Sequence, residues 1–285
     1  MKTKIIPAIN AQTLQEIKEK INLLKDLTNH FHLDVASLEF TAYQTYPRIH
    51  VDLERINTNL DLIKINQNNN PRKSVLDPRL SVVFDLHLML SLKPQEILKW
   101  AKENVKTLIL HLEASQNPDG LLKMAKKTKK KIFIAWSPDV EFDFIKKYLN
   151  YVDGVLILGV RPGRAGQKFL DETYERIEMI TQTNADYTLT NAGTRTISDH
   201  TQTNTDFITK ELSEPSVLSS KKSEYSASSL RKSVSLKLMI DGGVNEENFQ
   251  KILSYKPDFI VMASAIYNSE NPKEKYLWFL NQIKN

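Results

Sequence analysis

The chain has 285 residues, 39 Lys and Arg against 34 Asp and Glu, no cysteine, and 41% hydrophobic and 26% charged residues. Those proportions belong to an ordinary globular protein, which excludes global disorder, a collagen-like repeat and a disulfide-stapled secreted module. The length admits one barrel of about 250 residues as readily as two smaller domains. The longest apolar runs, such as Val155-Leu156-Ile157-Leu158, fall far short of the roughly 18 residues of a membrane span.

In chain order, a basic start (Met1-Lys2-Thr3-Lys4) precedes Ile5-Ile6-Pro7-Ala8-Ile9, which is shorter than the about 7 to 15 apolar residues at the centre of a signal peptide. With no cysteine to oxidise, the cytoplasm is the expected compartment. Strand-like runs follow one another at Lys4 to Ile9, His30 to Val35, Val82 to Met89, Thr107 to Leu112, Lys131 to Trp136, Gly154 to Val160, Leu236 to Ile240 and Phe259 to Met262. Between them, apolar residues at three- and four-residue spacing predict helices. Examples are Leu14, Ile17, Ile21 and Leu24 and, after Pro94, Ile97, Leu98 and Ala101. Runs that are apolar throughout, such as Phe133-Ile134-Ala135-Trp136, suit parallel strands buried on both faces. The alternation predicts an α/β fold, a closed (β/α)8 TIM barrel formed by 1–285 as one domain.

Two stretches break this rhythm. Asn66 to Arg79 reads as a surface loop, and 181–235 reads as a disordered, low-complexity insertion rich in Ser, Thr and Asn before strand seven, because such a composition buries too little surface to offset its ordering entropy. The alternation resumes at Leu236. The run Lys126-Lys127 and Lys129-Lys130-Lys131 has no interleaved aromatics, so it reads as a solvated turn rather than a nucleic-acid patch.

The active site of such a barrel lies at the C-terminal ends of its strands. Polar residues at these ends are His32 and Asp34, Asp85 and His87, His111, and Asp241-Gly242-Gly243. Residues two apart on a strand share a face, so His32 and Asp34 point together. Two neutral imidazoles and two carboxylates suit a divalent metal, with His favouring zinc or iron over magnesium. Hydrogen-bonded core histidines explain the same spacing equally well, and His50-Val51-Asp52 repeats the pattern in helix-like surroundings that mark it as a surface decoy. Asp241-Gly242-Gly243-Val244-Asn245 and Ala263-Ser264-Ala265-Ile266 follow strands seven and eight, the usual phosphate seat. After strand six, Arg161-Pro162-Gly163-Arg164-Ala165-Gly166-Gln167-Lys168-Phe169 offers three cations on a glycine-containing loop suited to closing over an anion. Each turn taken alone is better explained by glycines that serve only its geometry.

Taken together, Pro162-Gly163-x-x-Gly166-Gln167-Lys168-Phe169, Asp85-x-His87-x-Met89, His32-x-Asp34-Val35 and Asp241-Gly242-Gly243-Val244 with Ser264-Ala265-Ile266 resemble the ribulose-phosphate 3-epimerase family, from about Ile5 to Ile283. The resemblance implies that His32, Asp34, His87 and Asp241 bind one divalent ion, zinc or iron before manganese or cobalt, and that Asp34 and Asp241 are the acid/base pair. It further implies that Ala8, His87, Met89, Gly163, Arg164, Ala165, Gly166, Gly242, Gly243, Val244, Ala263 and Ser264 bind substrate and phosphate. The implied partner is a small sugar phosphate, with neither nucleic acid nor membrane, and a homo-oligomer is left open. Inverting a carbon beside a carbonyl takes a proton from one face and returns one to the other, so two carboxyl groups must flank it. The chain departs from the family pattern at Ala8, where a Ser is usual, at Ala36-Ser37-Leu38 for Met-Asp-Gly, at Leu158 in the methionine wall, at Arg164-Ala165 for Phe-Gly and at Ala263 for Gly. These changes alter the pocket without removing a ligand. A six-carbon ketose phosphate such as allulose 6-phosphate, and a non-catalytic phosphosugar-binding barrel, therefore stand as alternatives to D-ribulose 5-phosphate epimerisation.

Overall fold

Strands whose two faces are both covered must be apolar on both, and the structure shows what covers them. The computed structural model describes residues 2–41, 44–47, 53, 56, 82–162, 166–198 and 235–284, the side chains of 186–198 excepted. His50-Val51-Asp52, the loop Asn66 to Arg79, Gly163-Arg164-Ala165 and 199–234 lie outside the described residues. The strands are β1 (Lys4–Ile9), β2 (His30–Ala36), β3 (Val83–Met89), β4 (Val105–Leu110), β5 (Lys131–Trp136), β6 (Gly154–Leu158), β7 (Lys237–Asp241) and β8 (Phe259–Met262). They close into a barrel in sequence order, and the seam is parallel too, with Ile5 beside Ile260 and Ile6 beside Val261. This is the TIM barrel.

Alternate residues point inward. Ile6, Ala8, Ile109, Phe133, Ala135, Leu156, Leu158, Met239 and Val261 fill the interior. Their neighbours, Phe31, Leu33, Leu86, Leu108, Ile134, Val155 and Ile240 among them, pack outward against the helices. The barrel is thus a packed core and not a pore. The inward track turns polar at His32, Asp34, Asp85, His87 and Thr107, all buried, and at Asp241 at the end of β7.

Helix Leu14–Leu24 starts at Thr13, whose side chain accepts from the Glu16 amide, and buries Ile17, Ile21 and Leu24. After Pro94, a 3-10 turn (Pro94–Glu96) leads into the short helix Ile97–Trp100. Ala101 caps that helix and Leu98 is exposed, so only part of the expected apolar stripe is used. Strands β4 and β6 depart furthest from expectation. Val105 pairs with Phe84 before a register shift between Phe84 and Asp85, so β4 begins early, and Leu112 belongs instead to the turn Leu112–Ala114. β6 stops at Leu158, short of the expected Val160, and at Gly159 the chain passes so close to the Gly242 carbonyl oxygen and the Phe169 ring that a Cβ there would collide with both.

The polar stretch from 181 is helical at its start. Helix Glu172–Ser198 runs on through it. Thr181 and Thr183 donate to the carbonyls of Ile177 and Met179 four residues back, which satisfies their hydroxyls within the helix. Asn184 then bonds both backbone groups of Leu236, at 2.9 and 3.0 Å, so the two sides of the polar stretch are tied together at the entry to β7.

Candidate active site

Four polar side chains from three strands converge at the C-terminal end of the barrel. Register places Asp34 beside His87, and Asp241 is brought in from β7, where it sits between Leu158 and Val261. One ligand atom from each of His32, Asp34, His87 and Asp241 lies within 4.8 Å of all the others. His32 Nε2 is 3.2 Å from Asp34 Oδ1 and 3.7 Å from Asp241 Oδ2. His87 Nδ1 is 3.1 and 3.8 Å from the same two atoms.

The donor set fits a divalent cation. His32 is fully buried, and neither of its ring nitrogens has a hydrogen-bond partner among the described residues. A buried, unsatisfied imidazole facing two carboxylates is costly unless something shared lies between them. Two nitrogens and two carboxylate oxygens are the ligand chemistry of zinc, iron and related ions.

The two carboxylates differ electrostatically. Burial opposes ionisation of Asp34, but the neighbouring imidazoles of His32 and His87 outweigh it and hold the carboxyl below the ordinary range. Asp241 is pushed up, chiefly by burial and further by Asp34, against the pull of the two histidines. Burial also raises His32's cost of charging, yet Asp34 and Asp241 lift its pKa above the ordinary value.

His87 is itself held from behind. Its Nε2 lies 2.8 Å from His111 Nε2, His111 Nδ1 lies 2.7 Å from Glu113 Oε1, and the Ser137 hydroxyl donates to the same Glu113 oxygen at 2.8 Å. Burial keeps the His111 pKa down, and Glu113 opposes this in part. Glu113, though raised by burial, is lowered overall by its bonds to His111 and Ser137.

Above the cluster is an open cleft of about 660 Å³ lined by Asp34, His87, Met89, Gly166, Asp241, Gly242, Gly243, Val244, Ala263 and Ser264. These expected site residues therefore share one pocket, with His32 buried beneath it. Gly242 and Gly243 adopt φ of 92° and 70°, left-handed conformations that favour glycine. They lead into helix Glu246–Ser254, capped by Asn245. Ala8 is buried in the barrel interior. Gly163, Arg164 and Ala165 lie outside the described residues. Asn10, Val160, Pro162, Gln167, Val261 and Met262 also line the cleft, and sequence reasoning missed Glu113 and Ser137 behind His87. A polar H-x-E at the end of β4 was the available signal.

A family model described as the ribulose-phosphate 3 epimerase family matches residues 47–194, slightly more than half of the chain. The match spans His87 and Gly166 but stops short of His32, Asp34 and Asp241. Geometry is what brings these three to His87. The ribulose-phosphate 3-epimerase of Buchnera aphidicola subsp. Baizongia pistaciae is 26% identical over 205 residues, 72% of this chain and 70% of the relative. That of Aquifex aeolicus is 22% identical over 193 residues, 68% and 67%. Among solved structures, KGPDC from Streptococcus mutans has a TM-score of 0.57 at 6% identity, covering 100% of this chain and 98% of that one. The 3-hexulose-6-phosphate synthase from Salmonella typhimurium has 0.52 at 11%, covering 99% and 100%. At such identities these structures share the barrel fold alone.

Proposed function

This chain belongs to the ribulose-phosphate 3-epimerase family, and from that premise we propose that it inverts C3 of a ketose phosphate, interconverting D-ribulose 5-phosphate and D-xylulose 5-phosphate. The observation that carries the reading is the meeting of Asp34 and Asp241, from strands on different sides of the barrel mouth, with His32 and His87 at one point.

Epimerisation needs one group to take the C3 proton and a second to deliver a proton to the opposite face. In the metal-free cluster the two histidines hold Asp34 below the ordinary carboxyl range while burial and Asp34 push Asp241 up, an asymmetry that supports Asp34 as the group that takes the proton and Asp241 as the one that gives it. Opposed environments around two nearby carboxyls are a recurring way of dividing such roles. In the reverse direction the roles exchange. A divalent cation held by His32, Asp34, His87 and Asp241, zinc or iron before manganese or cobalt, supplies Lewis acidity that eases loss of the C3 proton. Met89 and Leu158 give the cleft an apolar wall beside the reacting carbon, which limits water there. The glycine turn Gly242-Gly243-Val244, with Ala263-Ser264, offers backbone N–H groups to the substrate phosphate. Gly163, Arg164, Ala165 and Gly166 belong to the same proposed phosphate subsite, in the loop after β6.

The test is to incubate metal-replete protein with D-ribulose 5-phosphate in D2O and follow C3 by NMR. The expected result is deuterium at C3 together with D-xylulose 5-phosphate. Tight binding without exchange would replace this reading with a non-catalytic phosphosugar-binding barrel. Faster exchange on allulose 6-phosphate would move the substrate to six carbons.

A further inference from the structure

The chain of contacts behind His87 has a direction that its chemistry fixes. Ser137 donates its hydroxyl to Glu113 Oε1, so its lone pairs, 3.2 Å from His111 Nδ1, face a nitrogen that must carry hydrogen. The Glu113 oxygen, 2.7 Å from that nitrogen, demands the same, because a carboxylate only accepts. His111 therefore has its proton on Nδ1 and a bare Nε2. That bare Nε2 lies 2.8 Å from His87 Nε2, so His87 donates from Nε2, and once its ring is neutral, as a metal ligand must be, Nδ1 is bare. Nδ1 is the nitrogen that faces Asp34 and Asp241.

We propose that Glu113 is a positioning residue: acting through His111, it fixes the His87 proton on Nε2, presents Nδ1 as a ligand and so sets the affinity of the site for a divalent cation. The inference rests on the metal-dependent reading above and goes beyond the four ligands. His87, His111 and Ser137 are buried, and Phe40 packs edge-on against His111 with ring centres 4.6 Å apart. If the relay ran the other way, the His111 Nδ1 lone pair would face a carboxylate oxygen at hydrogen-bond distance, which is repulsive. A bare His87 Nδ1 opposite Asp34 is likewise repulsive until a cation lies between them, so the relay biases the cluster toward binding one.

The experiment titrates metal-free protein with Co(II), reading both the dissociation constant and the visible ligand-field absorption. Loss of a carboxylate orienting a metal-bound histidine typically weakens metal binding about 10- to 100-fold. Glu113→Gln is expected to show that loss, and Ser137→Ala, which leaves the carboxylate in place, a much smaller one. Glu113→Gln binding Co(II) within about threefold of wild type, with the same absorption, would overturn the proposal while leaving the metal site intact. Wild type failing to bind Co(II) would overturn the metal reading itself. A second measurement needs no variant. The long-range 1H–15N spectrum of zinc-loaded wild type is expected to place the His87 proton on Nε2 and the His111 proton on Nδ1, and the opposite tautomers would overturn the proposal even if Glu113→Gln fails to fold.

Discussion

Removing one carboxylate from the cluster should make the metal-free protein more stable and the metal-loaded protein less so. Asp34 and Asp241 hold ligand oxygens within 4.8 Å of each other. Two unit charges at that distance repel by about 3.5 kcal/mol at an effective dielectric of about 20, and the two histidines offset part of this. Burial, reinforced by Asp34, holds the Asp241 carboxyl above its ordinary value. A carboxyl whose folded pKa exceeds its unfolded one costs the fold stability as pH rises past the unfolded value, and the full cost is reached above the folded value. Near neutral pH, metal-free Asp241→Asn should therefore be more stable by about 1 to 3 kcal/mol, a rise of about 2 to 8 °C in Tm for a chain of this size. With metal at a thousandfold excess over its Kd, wild type gains about 4.1 kcal/mol, and the variant, short of one ligand, should lose most of that gain. Thermal melts in EDTA and in excess zinc should thus rank the two proteins in opposite orders. An Asp241→Asn melt in EDTA at or below that of wild type, or a zinc shift equal to that of wild type, would refute the reasoning.

Gly159→Ala places a methyl group 2.5 and 2.6 Å from Phe169 ring atoms and against the Gly242 carbonyl. It should cost about 1 to 3 kcal/mol in urea denaturation and, by displacing the turn that follows Asp241, lower kcat about ten- to a hundredfold; unchanged kinetics would show that this turn does not position the carboxylate. At the opposite end of the barrel His30 Nε2 lies 2.8 Å from Asp85 Oδ2. Burial raises the Asp85 carboxyl, but the bond to His30 leads the effects that bring it below the ordinary range. Its stabilisation is present above the unfolded value of about 4 and is lost as pH falls through the lower folded value. Asp85→Asn should therefore be less stable than wild type at pH 7 by about 1 to 2 kcal/mol, the cost of a weakened buried hydrogen bond, with the gap narrowing below about pH 4. A gap that is constant across this range in urea titrations would contradict the assignment.

The barrel was readable because its strands are covered on both faces, which writes them as unbroken apolar runs. β5 and β8 occupy the residues expected of them. Strict alternation made His32 and Asp34 a pair, and the Gly-Gly that follows Asp241 marked it as a strand end beside a phosphate seat. Features that depend on partners distant in the chain were not readable. The early start of β4 follows from a register shift against β3, and no local pattern announces such a shift. The helical run beyond Thr181 draws support from carbonyls one turn back and from Leu236, while composition registers only Thr and Asn. The role of Glu113 depends on His111 standing beside His87, which the pairing of His87 with Ile109 creates and which the H-x-E spacing alone leaves open.

The proposed division of labour between Asp34 and Asp241 is open to a direct measurement. D-Ribulose 5-phosphate deuterated at C3 is converted in ordinary water by metal-replete protein, and the deuterium retained in the D-xylulose 5-phosphate formed at early times is measured by mass spectrometry. With one carboxyl on each face, the deuterium taken by Asp34 has no route to the face served by Asp241, so the product should carry essentially none. Substantial deuterium in the product would mean that one group serves both faces, and it would contradict the account.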